Sequence, residues 1–149
     1  MKKRVFALVF NILIVSLSCL QLANANPLNS SQQSQITHGF EQQLLAAFNN
    51  KQSDLQIAGW GKVTRLLADD LKGSRHQRFI IRLNTGQTIL IAHNIDLAPK
   101  IQTLKVGDTV EFYGEYEWNK QGGVIHWTHD DPNNKHPHGW LKHNGQLYQ

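Results

Sequence analysis

Histidines and carboxylates are concentrated in a segment that begins at His126 and runs His-Trp-Thr-His-Asp-Asp-Pro. Imidazole nitrogens and carboxylate oxygens are ordinary ligands for zinc, nickel and copper. Because His126 and His129 are three residues apart, a regular strand would point them to opposite faces. They converge only if the strand ends in a turn near Thr128, which the following Asp-Asp-Pro favours. The segment leaves three alternatives open: hydrogen-bonded structural histidines, a metal site, or acid–base chemistry without a metal.

A metal site would combine this segment with two histidines from earlier in the chain. Its predicted ligands are His76, His93, His126 and His129. The sequence makes no cofactor certain, and zinc is the metal that such a set would take. The one cysteine, Cys19, excludes a cysteine-rich zinc site and a disulfide framework. Three further histidines fall in predicted loops and are weaker candidates: His136, His138 and His143.

Two carboxylates share one face of a predicted strand. Glu115 and Glu117 alternate with Tyr116 and Trp118, which use the opposite face. Such a pair suits a metal ion or acid–base catalysis, but the commoner explanation is a solvated strand face. The sequence contains no glycine-rich phosphate loop, nucleophile elbow or H-E-x-x-H motif. Serine-histidine-aspartate catalysis therefore has no local support.

Basic side chains are concentrated in the middle of the chain. Residues 61–105 have a net charge of +5, whereas residues 106–149 have a net charge of −3. Arginine holds phosphate through two hydrogen bonds at once, and Trp60 or another exposed aromatic would offer a stacking platform. The stretch predicts either a groove for a polyanion or an ordinary solvated surface. The predicted ligand-binding residues are Lys62, Arg75, His76, Arg78, Arg82, His93 and Asn94.

The hydrophobic pattern predicts the elements that would position these residues. Apolar residues spaced as Phe40, Leu44 and Phe48 indicate a helix over residues 37–50, which could plug one end of a barrel. Alternating patterns predict five strands, at residues 57–67, 76–83, 87–93, 109–118 and 124–128. Residues 94–104 form a short helical or irregular crossover, and Asn144-Gly145 indicates a closing hairpin over residues 140–148. The predicted fold is mainly β: a five-stranded OB-fold-like barrel with an N-terminal helix and a C-terminal hairpin extension. The alternative is a small β-sandwich.

The turn between the second and third strands decides which side chains point outward. If Gly86 is the left-handed residue of a three-residue loop, apolar residues of both strands meet in the core and His76 lies opposite Asn94. If the loop has two residues, Arg78 lies opposite His93 and both point outward. A slip of one residue exchanges the two faces. We favour the first register, because threonine is a poor first residue of a two-residue hairpin turn.

The first 25 residues have the order of a bacterial secretory signal. Met-Lys-Lys-Arg is followed by an apolar run from Val5 to Leu17 and by the small-residue site Ala23-Asn24-Ala25. The run is shorter than the ~20 residues that span a bilayer, so we expect no retained transmembrane segment, although a retained anchor is the alternative. Lipid modification at Cys19 is disfavoured, because lipoprotein signals usually have leucine where this sequence has Ser16.

Removal of this signal sets the domain organisation and the compartment. We expect residues 1–25 to be a signal peptide, residues 26–36 a flexible leader, and residues 37–149 a single domain that is periplasmic or secreted. The formal charge of +4 then falls to +1, because 12 basic and 11 acidic side chains remain. This balance argues against a generally basic protein that coats nucleic acid.

Several longer strings resemble an uncharacterised family of small exported bacterial proteins. They are HQRFI from His76, AHNIDLAP from Ala92, GEYEWN from Gly114 and GGVIHWTH from Gly122. The resemblance covers about residues 59–149 and implies an OB-like exported domain of unknown function, without an activity. The family pattern includes six residues that therefore rank above the loop histidines: His76, Arg78, His93, Asn94, His126 and His129.

Three functions remain open at this point, and the sequence does not decide whether the protein is an enzyme. The leading hypothesis is an exported binding module for a polyanion or oligosaccharide. The second is a metal-dependent hydrolase or nuclease that uses the histidines. The third is a structural protein of the cell envelope, in which Trp118, Trp127 and Trp140 are simply core residues. The oligomeric state is not determined.

Overall fold

The computed structural model describes residues 30–149, with side chains from residue 39 onward. The predicted signal peptide and the start of the predicted leader lie outside the described residues. One helix precedes seven strands: helix α1 (Ser30–Asn49), β1 (Leu55–Leu66), β2 (His76–Arg82), β3 (Thr88–Asn94), β4 (Thr109–Glu117), β5 (Val124–His126), β6 (Trp140–His143) and β7 (Gln146–Tyr148). Every predicted strand is present, with its ends within two residues of the prediction.

Helix α1 begins seven residues before the predicted start at Thr37. Residues 30–36, which belong to the predicted leader, are therefore helical. Their serine and glutamine content suggested a leader, but the stretch has no glycine or proline, and glutamine is a good helix former. No helix among the described residues is long and apolar enough to cross a membrane.

The first five strands close into a barrel. Their order is β1-β2-β3-β5-β4, and β4 pairs with β1 along eight residue pairs, from Leu55 with Tyr116 to Lys62 with Thr109. Strands β3 and β5 run parallel, and the other neighbours are antiparallel. Strands β6 and β7 extend the sheet from β4. The predicted fold class is confirmed: a mainly β protein with a closed five-stranded barrel, an N-terminal helix and a C-terminal hairpin.

The interior of the barrel is filled by alternate residues of its strands. The fully buried members include Phe79, Ile81, Ile89, Ile91, Phe112, Tyr116 and Ile125. Helix α1 covers this core with Phe40, whose ring lies 6.2 Å from Trp60 and 6.5 Å, edge to face, from Phe112. Gly59 permits this contact, because a Cβ atom there would lie 2.5 Å from the Phe40 ring. Trp60 therefore packs against the helix and is not the exposed stacking platform that the sequence suggested.

The register between β2 and β3 is the one that the three-residue loop predicts. Gly86 has a φ of 87°, which is left-handed, and His76 pairs with Asn94. His76 and Arg78 consequently point to the outer face of the barrel, whereas His93 is fully buried. The register thus separates His93 from the histidines with which it was grouped.

A buried amide holds the irregular crossover between β3 and β4, which contains turns but no helix. The side chain of Gln77 donates to the carbonyl of Ile101 at 3.0 Å and accepts from its N–H at 2.9 Å. Buried backbone groups need such partners wherever secondary structure does not supply them. The side chain of Gln77 therefore helps to anchor the crossover against the barrel.

Candidate functional site

The outer face of β2, β3, β5 and β4 forms one surface across the barrel wall. Arg78 pairs with Ala92 between β2 and β3, and Glu115 pairs with His126 between β4 and β5. The parallel pairing of β3 with β5 brings Ala92 beside His126. Basic, imidazole and carboxylate side chains from four strands therefore share one face.

A cleft crosses this face at His76, Ala92 and His126, which line both of two adjoining cavities. The first cavity, of about 340 Å³, is also bordered by Asn94, Leu97, Trp127 and His129. The second, of about 320 Å³, is also bordered by Asp70, Arg78, Leu90 and Glu117. We call these two cavities together the cleft. Of the residues predicted to bind a ligand or metal, it gathers His76, Arg78, Asn94, His126 and His129.

The end of β5 explains why His126 and His129 meet in the cleft. Strand β5 stops at His126, and Trp127 adopts a left-handed backbone with a φ of 51°. This conformation is uncommon for a bulky residue, and such strain is often found at functional sites. The chain turns there, and both histidines then line the same cavity. This is the turn near Thr128 that the sequence predicts is required for His126 and His129 to converge.

A glycine on β4 lets β5 approach closely enough to place His126. A Cβ atom at Gly114 would lie 2.4 Å from the carbonyl oxygen of His126. Gly114 therefore positions this histidine through the backbone.

His93 has a structural role and does not line the cleft. Its Nε2 lies 3.2 Å from the carbonyl of Pro99, which only accepts, so Nε2 carries the proton. Its Nδ1 lies 2.9 Å from Oγ1 of Thr128 and accepts the hydroxyl proton. Burial lowers the pKa of His93 to about 4. Both ring nitrogens are occupied in the neutral form, so none is available for a metal.

The predicted basic residues differ in whether their side chains already have a partner within the protein. Arg75 binds Asp96 through its Nε at 2.6 Å and its backbone N–H at 2.7 Å, and these bonds lower the pKa of Asp96. Arg78 donates two hydrogen bonds to the carbonyl of Ala68 and lies 3.7 Å from Asp70. By contrast, Lys62 and Arg82 are exposed neighbours on β1 and β2.

The structure assembles a different group of potential metal ligands from the predicted one. Within the described chain, His76, His93, His126 and His129 do not form one compact set. Instead, ligand atoms of Glu115, Glu117 and His126 all lie within 4.8 Å of one another. We call these three residues the carboxylate–histidine cluster. The sequence favoured an ordinary solvated face for Glu115 and Glu117. It did not show that the β4–β5 pairing places His126 opposite Glu115.

His136, ranked low as a loop position, lies against this cluster. Its Nε2 is 2.7 Å from Oε2 of Glu115, and its ring stacks on Trp127 at 4.2 Å and 11°. Burial alone would lower the pKa of His136, but the hydrogen bond and the charges of Glu115 and Asp131 raise it. The sequence signal that could have pointed to an ordered position for His136 is Asp131, because aspartate often organises the loop that follows it.

The loop that carries His136 is held from within by Asp131. This buried carboxylate accepts backbone hydrogen bonds from Asn133 at 3.0 Å, Lys135 at 2.6 Å and His136 at 2.9 Å. These bonds lower the pKa of Asp131 despite the opposing effect of burial. The loop is thus built around one ionised side chain.

Comparison with known proteins gives a family but no activity. The family model described as "Protein of unknown function (DUF3465)" matches residues 27–149. This match confirms the resemblance to an uncharacterised domain family. No curated protein matches the sequence significantly.

Proposed function

We propose a function for this chain, which belongs to the DUF3465 family of proteins of unknown function: it is a binding module for a polyanion. The ligand lies along the outer face of β2 and enters the cleft. The supporting observation is that Arg82, Arg78 and His76 share this face. A stripe of cationic and hydrogen-bonding side chains thus leads into the cleft.

Unneutralised charge lies at one end of this stripe. Among the described residues, Lys62, Arg65 and Arg82 have no acidic partner within 4.0 Å, and all three are exposed. Lys62 and Arg82 are cross-strand partners, so two free positive charges lie side by side. Such charges contact phosphate or sulfate groups at little cost, because no internal ion pair has to break first.

The cleft suits the less charged part of the ligand. Leu90 and Ala92 give it an apolar floor, and His76, Asn94 and His126 offer hydrogen-bonding groups at its walls. Trp127 lines it as well. Asp70 and Glu117 border one side and disfavour an anionic group there. We therefore place the anionic groups at Lys62 and Arg82, and a base or sugar ring in the cleft.

Salt-dependent binding tests this proposal. Fluorescence anisotropy of a labelled oligothymidylate should show affinity that falls with salt, with a logarithmic slope of about −1.4 for the two phosphates neutralised by Lys62 and Arg82. Lys62→Ala and Arg82→Ala should each reduce the slope by about 0.7. Lys142→Ala removes one lysine from β6, a strand outside the barrel, and should leave the slope unchanged. Binding that is independent of salt, or an equal loss in the Lys142 variant, overturns the proposal. A heparin competitor distinguishes a general polyanion site from one that requires bases.

A second candidate, a metal-dependent hydrolase of phosphodiesters, rests on the position of the carboxylate–histidine cluster. Glu117 and His126 line the same cavity as His76 and Arg78, which would supply an acid–base group and a phosphate contact. Hydrolysis of bis(p-nitrophenyl) phosphate that is abolished by a chelator and by His126→Ala would favour it. Activity that survives both changes would exclude this mechanism.

The structural hypothesis about the tryptophans stays a prediction. Trp118 does pack against the core, and its Nε1 donates to the carbonyl of Phe48 at 3.0 Å. Trp140 lies 6.3 Å from the ring of Tyr113. Trp127 differs, because it borders the cleft. Loss of oligothymidylate binding in a folded Lys62→Ala, Arg82→Ala double variant would argue against a purely structural role.

A further inference from the structure

We infer that Glu115, Glu117 and His126 bind a divalent metal ion of the zinc class. This site differs from the four-histidine set that the sequence suggested, and it shares only His126 with that set. The inference does not depend on polyanion binding, and it names the ligands that a metal-dependent hydrolase would need.

The fold brings the three side chains together without help from a flexible segment. Glu115 and Glu117 are two residues apart on β4, so they share a face. His126 is the β5 partner of Glu115 in the sheet. Their ligand atoms lie within 4.8 Å of one another, and zinc–ligand bonds are about 2.0–2.2 Å. Small side-chain rotations are enough to close the three atoms around one ion.

An unsatisfied nitrogen points to an absent partner. Nε2 of His126 is buried and has no hydrogen-bond partner, although it lies 3.4 Å from Oε1 of Glu115. Buried polar atoms are nearly always satisfied, and an exception calls for an explanation such as an ion.

His136 supports the carboxylate–histidine cluster by a hydrogen bond to Glu115. His136 donates to Glu115 at 2.7 Å, and the three backbone bonds to Asp131 hold its loop. Outer partners of this kind orient metal ligands and are a regular part of metal sites. The hydrogen bond leaves Oε1 of Glu115 for the ion, on the side of His126.

The donor set selects the class of metal. One imidazole nitrogen and two carboxylates suit zinc and similar borderline ions, whereas magnesium and calcium prefer oxygen alone. Three protein ligands leave further coordination positions, which is typical of zinc sites that bind an exogenous group. Glu117 and His126 both border the cleft, so an exogenous group would approach the ion from there.

Zinc titration of the purified, chelator-treated protein tests the site. Isothermal titration calorimetry with zinc chloride should show one equivalent bound to the wild type. Glu117→Gln and His126→Ala should each weaken binding at least tenfold. The matched control is His138→Ala, which removes an exposed histidine that contacts Asp130 and Asn134 instead of the cluster, and which should bind zinc as the wild type does. Circular dichroism should show that all variants are folded.

Cobalt substitution reports on the ligands even where an alanine variant folds poorly. Visible absorption bands of bound Co²⁺ should change in the conservative variant Glu117→Gln and stay unchanged in His138→Ala. The inference is overturned if the wild type binds no zinc, if both cluster variants bind as tightly as the wild type, or if His138→Ala loses as much affinity. Salt-dependent oligothymidylate binding without zinc binding would refute the metal site alone, and zinc binding without oligothymidylate binding would refute the polyanion proposal alone.

Discussion

Nε2 of His126 lies 3.4 Å from Oε1 of Glu115, yet the two atoms form no hydrogen bond. The distance is set by the pairing of β4 with β5 and by the close approach that Gly114 allows. The other oxygen of Glu115 is occupied by His136. The pairing of the two strands thus brings an imidazole next to a carboxylate at the rim of the cleft, and the loop that carries His136 holds that carboxylate on its other side.

The role of Gly114 predicts a costly alanine substitution. Gly114→Ala places a Cβ atom 2.4 Å from the carbonyl of His126, so β5 has to move. We expect a loss of about 3 kcal/mol in the free energy of unfolding, as for overpacked cores, together with weaker zinc binding. Urea denaturation measures the first effect and calorimetry the second.

A matched control exists in the helix. Gly39 lies on α1, and a Cβ atom there would meet nothing within 4 Å. Gly39→Ala should therefore stabilise the protein by up to about 1 kcal/mol. A Gly114→Ala variant that is as stable as the wild type would show that β5 does not need this close approach.

Two adjacent aspartates should respond very differently to the same substitution. Asp131→Asn removes the charge that three backbone N–H groups bind, and hydrogen bonds to charged groups contribute about 1.5–3 kcal/mol each. Because asparagine keeps only one of the two acceptor oxygens, we expect a loss of at least about 2 kcal/mol in the free energy of unfolding and faster hydrogen exchange at the amides of Lys135 and His136. Asp130→Asn changes an exposed carboxylate that contacts His138 and should alter neither. Unchanged exchange in Asp131→Asn would contradict the proposed organisation of the loop.

Buried His93 makes stability depend on pH. Its pKa is about 4 in the folded protein and near the ordinary 6.5 in the unfolded chain. As the pH falls from 6.5 towards 4, the unfolded chain takes up the proton first, so the free energy of unfolding decreases. The loss approaches about 3 kcal/mol below pH 4 and is absent above pH 6.5.

The variant His93→Gln isolates this contribution, because glutamine does not titrate. Urea denaturation at several pH values between 4 and 8 should show a smaller acid-induced loss in the variant than in the wild type. Parallel curves for the two proteins would mean that His93 is not held neutral by its contacts with Pro99 and Thr128.

The barrel was predictable because its signals are local. Alternating apolar residues fix the strands, and the left-handed Gly86 fixes the β2–β3 register, so His76 lies opposite Asn94 as expected. The helix was harder to delimit, because polar glutamines extend it to Ser30 without an apolar pattern. The packing of the helix on Trp60 was missed for a similar reason, because a contact between two elements does not show in the hydrophobic pattern of either one.

The candidate site was only partly predictable because it depends on pairings between distant strands. The left-handed Trp127 brings His126 and His129, both predicted metal ligands, to the same cleft. His93 was grouped with them by residue type and by the family resemblance, but in the β2–β3 register its side chain lies in the core. Linking Glu115 to His126 required the β4–β5 register, and linking it to His136 required the fold of a loop that Asp131 organises.

The most direct test of polyanion binding is a map of the bound surface. Two-dimensional amide NMR of the labelled protein, titrated with oligothymidylate at low salt, reports which residues respond. Polyanion binding along β2 should shift the amide signals of Lys62, Arg82 and Arg78, and of His76 and Ala92 at the cleft, and these shifts should disappear at high salt. Shifts confined to β6 and β7, or no shifts at any ligand concentration, would contradict it.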